Sequence, residues 1–191
     1  MTQHRVSDDP RFSPVKIETE PHYAEIPTRQ GAFSFQCFDK LAELTLQRPT
    51  CVRLDLEELK CFEVVDRQFQ QLGVIFSNAI ALHPSNPAFP PRSGMIVLMG
   101  SPRNGWVEAI FPTPVQYVSG FVTSSQPTVL IAFDDNNQPI GRTETTAPNL
   151  TASRVPHTPN TKLSLATPNI HRILFQTVDG QLTLDDFCYS F

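Results

Sequence analysis

The side chains able to do chemistry in this chain are few, and their spacing is poor for catalysis. Carboxylates stand in adjacent pairs at Glu57–Glu58 and Asp185–Asp186. Neighbours along a strand point to opposite faces, so neither pair can flank one bond as a general acid and base. The five histidines, at positions 4, 22, 83, 157 and 171, are scattered. His83 precedes a proline, His157 lies in a loop of Thr, Pro and Asn, and His171 completes a strand face in IHRILF rather than serving a nucleophile. Four cysteines, Cys37, Cys51, Cys61 and Cys188, lack the CxxC spacing of a zinc site and are too few for a disulfide scaffold at 191 residues. Free, mostly buried thiols are expected. With no G-x-S-x-G elbow, P-loop, G-x-G-x-x-G or H-E-x-x-H, the chain is read as a non-catalytic protein.

Binding chemistry offers more. Trp106, the only tryptophan, follows Asn104-Gly105 at the start of an apolar run, and Phe89 and Tyr189 are further aromatic candidates. Aromatic rings give flat apolar platforms, while Arg92, Arg103 and Asn104 in the flanking loops can supply orienting hydrogen bonds. A lone tryptophan opening a strand also serves as core. The net charge of −4, with no Lys/Arg run, argues against nucleic acid and against a polybasic membrane anchor. No stretch approaches the roughly 18 apolar residues of a membrane span, and the charged MTQHRVSDDPRF start has no signal-like apolar region, so the chain as written is expected in the cytoplasm. The sequon at Asn149-Leu150-Thr151 reads as loop.

The elements that must position these residues are strands. Val107–Phe111 ends at Pro112 and Pro114, which cannot donate to a ladder, so a strand end is expected there. Residues 115–122 alternate with period two, and Thr128–Phe133 is uniformly apolar, as for a strand covered on both faces. Asp134-Asp135-Asn136-Asn137-Gln138 tolerates left-handed backbone and predicts a reversal before 139–145. Asp179-Gly180 predicts a tight turn between the last two strands. With CVRLDLEEL, LGVIFSNAIAL, GMIVLMG, TKLSL, IHRILFQTV and LTLDDFCYSF, the count reaches eight or nine short strands. Proline at 18 and glycine at 8 suit an all-β protein with rigid loops. The fold expected is all-β, a two-sheet antiparallel β-sandwich (jelly roll) over residues 50–191. Residues 1–49 are expected to be an irregular, partly disordered extension, with one short helix or edge strand within 33–46.

The succession LDLEEL, GVIFSNA, VEAIFPTPVQYVSGFVT, TVLIAFDDNNQPIG, IHRILFQ and LTLDDFCYSF resembles the galactose-binding-like jelly-roll family. Within it the likeness is to carbohydrate-binding-module-like sandwiches of bacterial extracellular proteins. The resemblance covers about residues 50–191 and implies terminal strands lying close together, a carbohydrate ligand at a loop rim or on a concave face, and a structural calcium near the terminal strands. On the matching positions, that calcium would be held by Glu57 and Asp185, with Asp55 and Asp186 beside them; alternation along LDLEEL and LTLDDF would instead leave these residues outward and solvated. It also implies that Cys61 and Cys188 approach within bridging distance and that relatives are exported. The alternative is a structural or protein-interaction sandwich with no sugar ligand.

Overall fold

A computed structural model describes residues 51–100, 105–151 and 158–191. The expected 1–49 extension, Arg103 and Asn104 lie outside the described residues. Among the described residues ten strands form one connected antiparallel sheet: β1 (Val52–Arg53), β2 (Val64–Val65), β3 (Ile75–Ser77), β4 (Ala79–Leu82), β5 (Val97–Gly100), β6 (Trp106–Ser124), β7 (Thr128–Phe133), β8 (Pro139–Glu144), β9 (Thr161–Thr177) and β10 (Leu182–Ser190). Their spatial order is β2-β4-β5-β10-β6-β9-β7-β8, with β1 on β10 and β3 on β6. Among the described residues the only helical element is a 3-10 turn at Gln70–Leu72. The all-β expectation holds.

Two strands make the sandwich by doubling over. Nineteen extended residues would span roughly 60 Å, yet Gly105, just before β6, and Ser124 at its end both touch Thr177: the Gly105 carbonyl accepts its N–H at 2.8 Å, and the Ser124 hydroxyl donates to its Oγ1 at 3.3 Å. The bend falls where the β6–β9 register breaks, between Ile110 and Tyr117 on one strand and Arg172 and Ala166 on the other. Pro112 and Pro114 lie at this level on β6, and Pro168 and Asn169, the latter with φ of 65°, lie opposite on β9. Prolines cost no ladder bond where both strands bulge together, so they mark a fold in a continuous strand and not the strand end expected from sequence. One layer then holds β3, the first half of β6, the second half of β9, β7 and β8; the other holds the remaining halves with β10, β5, β4 and β2.

Between the layers the core is aromatic at its centre. The ring of Phe187, fully buried, lies 5.5 Å from Phe76, 6.0 Å from Tyr189, 6.4 Å from Phe175 and 6.5 Å from Phe111. The Asp134–Gln138 reversal forms as expected, with the Asp134 N–H on the Gln138 carbonyl and Asn137 left-handed. Three expectations change. In β7 only Thr128, Leu130 and Ala132 are buried; Val129, Ile131 and Phe133 are half-exposed on an outer face, so the strand is covered on one side. The Asp179-Gly180 turn forms, with Asp179 left-handed, but β9 and β10 do not pair, because β6 lies between them. The third is the cysteine chemistry: Cys51 and Cys188 form a disulfide with Cα atoms 6.0 Å apart. Cys61, expected near Cys188, is instead exposed and free. The Val52↔Tyr189 and Arg53↔Cys188 register carries Cys51 to the end of β10.

Candidate functional site

The acidic residues of the opening and closing strands do come together, but they are held by hydrogen-bond donors. A bulge between Asp185 and Cys188, with Asp186 at φ of 48°, breaks the alternation of β10. Asp185 is thereby buried at 3% exposure instead of outward and solvated. Its Oδ2 accepts the N–H groups of Arg92 at 2.6 Å and Ser93 at 3.1 Å, and its Oδ1 accepts that of Asp186 at 2.6 Å. The Glu57 carboxylate accepts the N–H groups of Met95 and Ile96 at 3.0–3.1 Å. Asp186 accepts the Ser93 hydroxyl at 2.6 Å, is paired with Arg53, and lies 3.8 Å from the Arg92 guanidinium. Asp55 caps the N–H of Glu57. The cluster lines a cleft of about 380 Å³ and pins residues 92–96 to the two terminal strands.

Calcium needs six to eight oxygen ligands with free lone pairs. Here amide hydrogens and guanidinium groups converge on the oxygens, so Glu57 and Asp185 as arranged do not fit the calcium that the resemblance implies. Among the described residues no group of three or more His, Cys, Asp or Glu side chains could hold a metal ion. These carboxylates fasten a loop.

Burial, followed by weaker opposing effects of the Ser93, Arg92 and Asp186 amides, pushes the Asp185 carboxyl above the usual carboxylate range, and the neighbouring Asp186 charge adds to this. A folded-state value above the unfolded one contributes stability that is complete below the unfolded value and is lost as pH rises through the folded one. The stability advantage of wild type over Asp185→Asn, measured by urea unfolding from acid to neutral pH, is therefore expected to shrink as pH rises. An advantage that grows with pH would contradict this.

Arg92 belongs to that cluster, with its guanidinium 4.2 Å above the Phe121 ring. Trp106 stands elsewhere, on the outer face of the β3-β6-β9-β7-β8 layer. Its placement is tightly determined. Gly105 turns into β6 at φ of 54°, where a Cβ would lie 2.6 Å from the Gly180 carbonyl oxygen. Gly100 at the end of β5 lies flush on the Trp106 backbone and leaves no room for a Cβ. Asn78 donates its amide to the Trp106 carbonyl at 2.6 Å. Trp106 is partly buried, so it is neither sealed in the core nor a freely projecting ring.

Register assigns its companions, because directly paired residues share a face. One row runs Trp106, Gln176, Val129, Glu144; the next Ser77, Glu108, Leu174, Ile131, Arg142; the third Ile75, Ile110, Arg172, Phe133, Pro139. Arg172 holds the middle: Nη1 donates to Glu108 at 2.8 Å, Nε to Asn137 at 3.1 Å, and the guanidinium lies 3.7 Å over the Phe133 ring. Trp106, Glu108, Leu174 and Gln176 line a depression of about 210 Å³. Ile131, Phe133, Pro139, Ile140, Gly141 and Arg142 line a second of about 590 Å³. Leu174 of the first and Ile131 of the second are register partners, so the two depressions are neighbours on one face. Reading residue types singled out Trp106 but missed Glu108, Arg172, Leu174 and Gln176; the period-two alternation inside VEAIF and HRILFQ carries that signal, and only register makes it one surface.

No family model and no curated protein matches the chain. Among the solved structures similar to the chain are three at 12% identity. TmCBM61 in complex with β-1,4-galactotriose aligns over 70% of this chain and 99% of its own, with a TM-score of 0.38. Arabinose-bound MgGH51 α-L-arabinofuranosidase aligns over 67% of this chain and 24% of its own, with a TM-score of 0.38. The enzymatically active domain of the bacteriophage CBA120 tailspike protein 4 aligns over 65% and 20%, with a TM-score of 0.33. The chain thus spans about a quarter and a fifth of the last two.

Proposed function

We propose that the protein is a ligand-binding β-sandwich module whose ligand is carbohydrate, taken on the outer face around Trp106. The observation that carries this reading is a partly buried tryptophan lining a depression beside Glu108 and Gln176. Sugars present C–H faces that stack on aromatic rings and hydroxyls that need paired donors and acceptors. Glu108 offers acceptors and Gln176 both kinds. The Cys51–Cys188 bridge supports work in an oxidising compartment in preference to the cytoplasm. On a glycan array the wild type is expected to retain a defined set of glycans, and Trp106→Ala to lose them by about tenfold or more, the effect of about 1.4 kcal/mol of stacking. No retained glycan at high protein concentration, or retention indifferent to Trp106→Ala, overturns the reading.

A protein partner is the second reading, and a different surface favours it. On the opposite layer Val64, Ile80 and Met99 stand side by side, continuing to Thr183. Val64 is 66% exposed. If this strip is the working surface, Val64→Lys with Met99→Lys abolishes association and leaves the Trp106 face untouched.

A further inference from the structure

We infer that the Trp106 face takes a neutral, linear glycan lying across the strands, about four sugar units long; this rests on the carbohydrate reading above. Direction comes from the two neighbouring depressions. They run from Trp106 on β6 through Leu174 on β9 and Ile131 on β7 to Ile140 on β8, at right angles to the strands. Along the strands the surface is cut short, because β6 and β9 bend away just beyond Ile110 and Arg172. Four strands span about 14 Å between first and last axes at roughly 4.8 Å spacing, which is close to one pyranose ring per strand. β8 ends the sheet order, so among the described residues no further strand closes the trough on that side. An internal stretch of a polymer can run off it.

Neutrality comes from the charges. In these three rows every charged side chain has its counter-charge beside it: Glu108 with Arg172 at 2.8 Å, and Arg142 with Glu144 at 2.7 Å. Arg172 is further fixed by Asn137 and the Phe133 ring. A uronate or sulfate would meet arginines whose charge is already compensated and would lie close to the Glu108 and Glu144 carboxylates, which repel it, so its charge gains little here. Hydroxyl groups need no counter-charge. The two N–H groups of Arg172 Nη2 and the amide of Gln176 are donors they can meet.

Isothermal titration calorimetry with β-1,4-linked glucan and galactan oligosaccharides of one to six units, and with oligogalacturonates of the same lengths, tests this. For the series that binds, affinity is expected to rise by about tenfold or more between one and four units and then level off, with the oligogalacturonates weaker at each length. Arg142→Ala removes an exposed side chain at the far end of the trough together with its pair to Glu144. It is expected to weaken the four-unit ligand and leave the single sugar unchanged. Affinity independent of length, or stronger binding of the oligogalacturonates, overturns the inference while leaving a sugar site at Trp106. Failure of every oligosaccharide overturns the inference alone if the array still retains other glycans through Trp106, and overturns both if it retains none.

Discussion

Replacing Cys51 and Cys188 together by serine is expected to lower the unfolding free energy by about 5 kcal/mol, because the bridge closes 137 residues of chain and the entropy it removes from the unfolded state grows with loop length. Much of the sandwich lies inside that loop, so few other single changes reach this size. The bridge also secures the strand that opens the fold. β1 is two residues long, and its continuation packs Leu54 and Leu56, both under 5% exposed, with the Leu54 N–H on the Phe187 carbonyl. Without the bridge, β1 is held on β10 by its two-residue pairing, the Leu54 bond and packing, and the Arg53–Asp186 pair. Guanidinium unfolding of wild type, of reduced wild type and of the double variant is the check. The last two are expected to coincide well below the first; a loss under about 1 kcal/mol would mean that the bridge adds little to the fold.

Asn149→Ala is expected to cost about 3–4 kcal/mol. The residue looks like a loop sequon, yet it is 1% exposed and its side chain makes four hydrogen bonds among the described residues. Its Oδ1 accepts the Ser124 N–H at 2.7 Å. Its Nδ2 donates to the Val122 carbonyl at 2.7 Å, the Thr161 hydroxyl at 3.1 Å and the Thr158 carbonyl at 3.3 Å. One side chain thus ties the 145–151 connection to the ends of β6 and β9. Truncation leaves buried groups unpaired at about 1–3 kcal/mol each, partly offset by relaxation. Asn149→Asp separates hydrogen bonding from shape: it keeps the volume but sets a second acceptor against two carbonyls. It is expected to destabilise at least as much as alanine. Equilibrium unfolding that shows either variant within about 0.5 kcal/mol of wild type would contradict this role.

What could be read from the sequence followed the range of the interactions involved. The Asp134–Gln138 reversal was legible because each residue there satisfies its own neighbours: the Asp134 carboxylate takes the N–H groups of Asn136 and Gln138. Pro112 and Pro114 were legible as an interruption and misread as an end, since a proline forbids a ladder bond only if the partner strand asks for one. Here Pro168 and Asn169 of β9 bulge at the same level. The partner of Cys188 was not legible at all, for it depends on which residue of the opening segment register brings opposite β10. Asp185 and Glu57 were found as a pair by resemblance. Their work was not, because the donors that occupy them are backbone N–H groups of residues 92–96, which have no signature in side-chain identity. Trp106 stood out by type, and its companions only by register.

The central claim, that the face around Trp106 takes up a sugar chain, is tested most directly by the fluorescence of that residue, since it is the only tryptophan in 191 residues. Titration with a neutral oligosaccharide retained on the array is expected to give a saturable blue shift as the partly buried Trp106 is covered. The same glycan at saturating concentration leaving the emission unchanged would place its binding elsewhere and contradict the account.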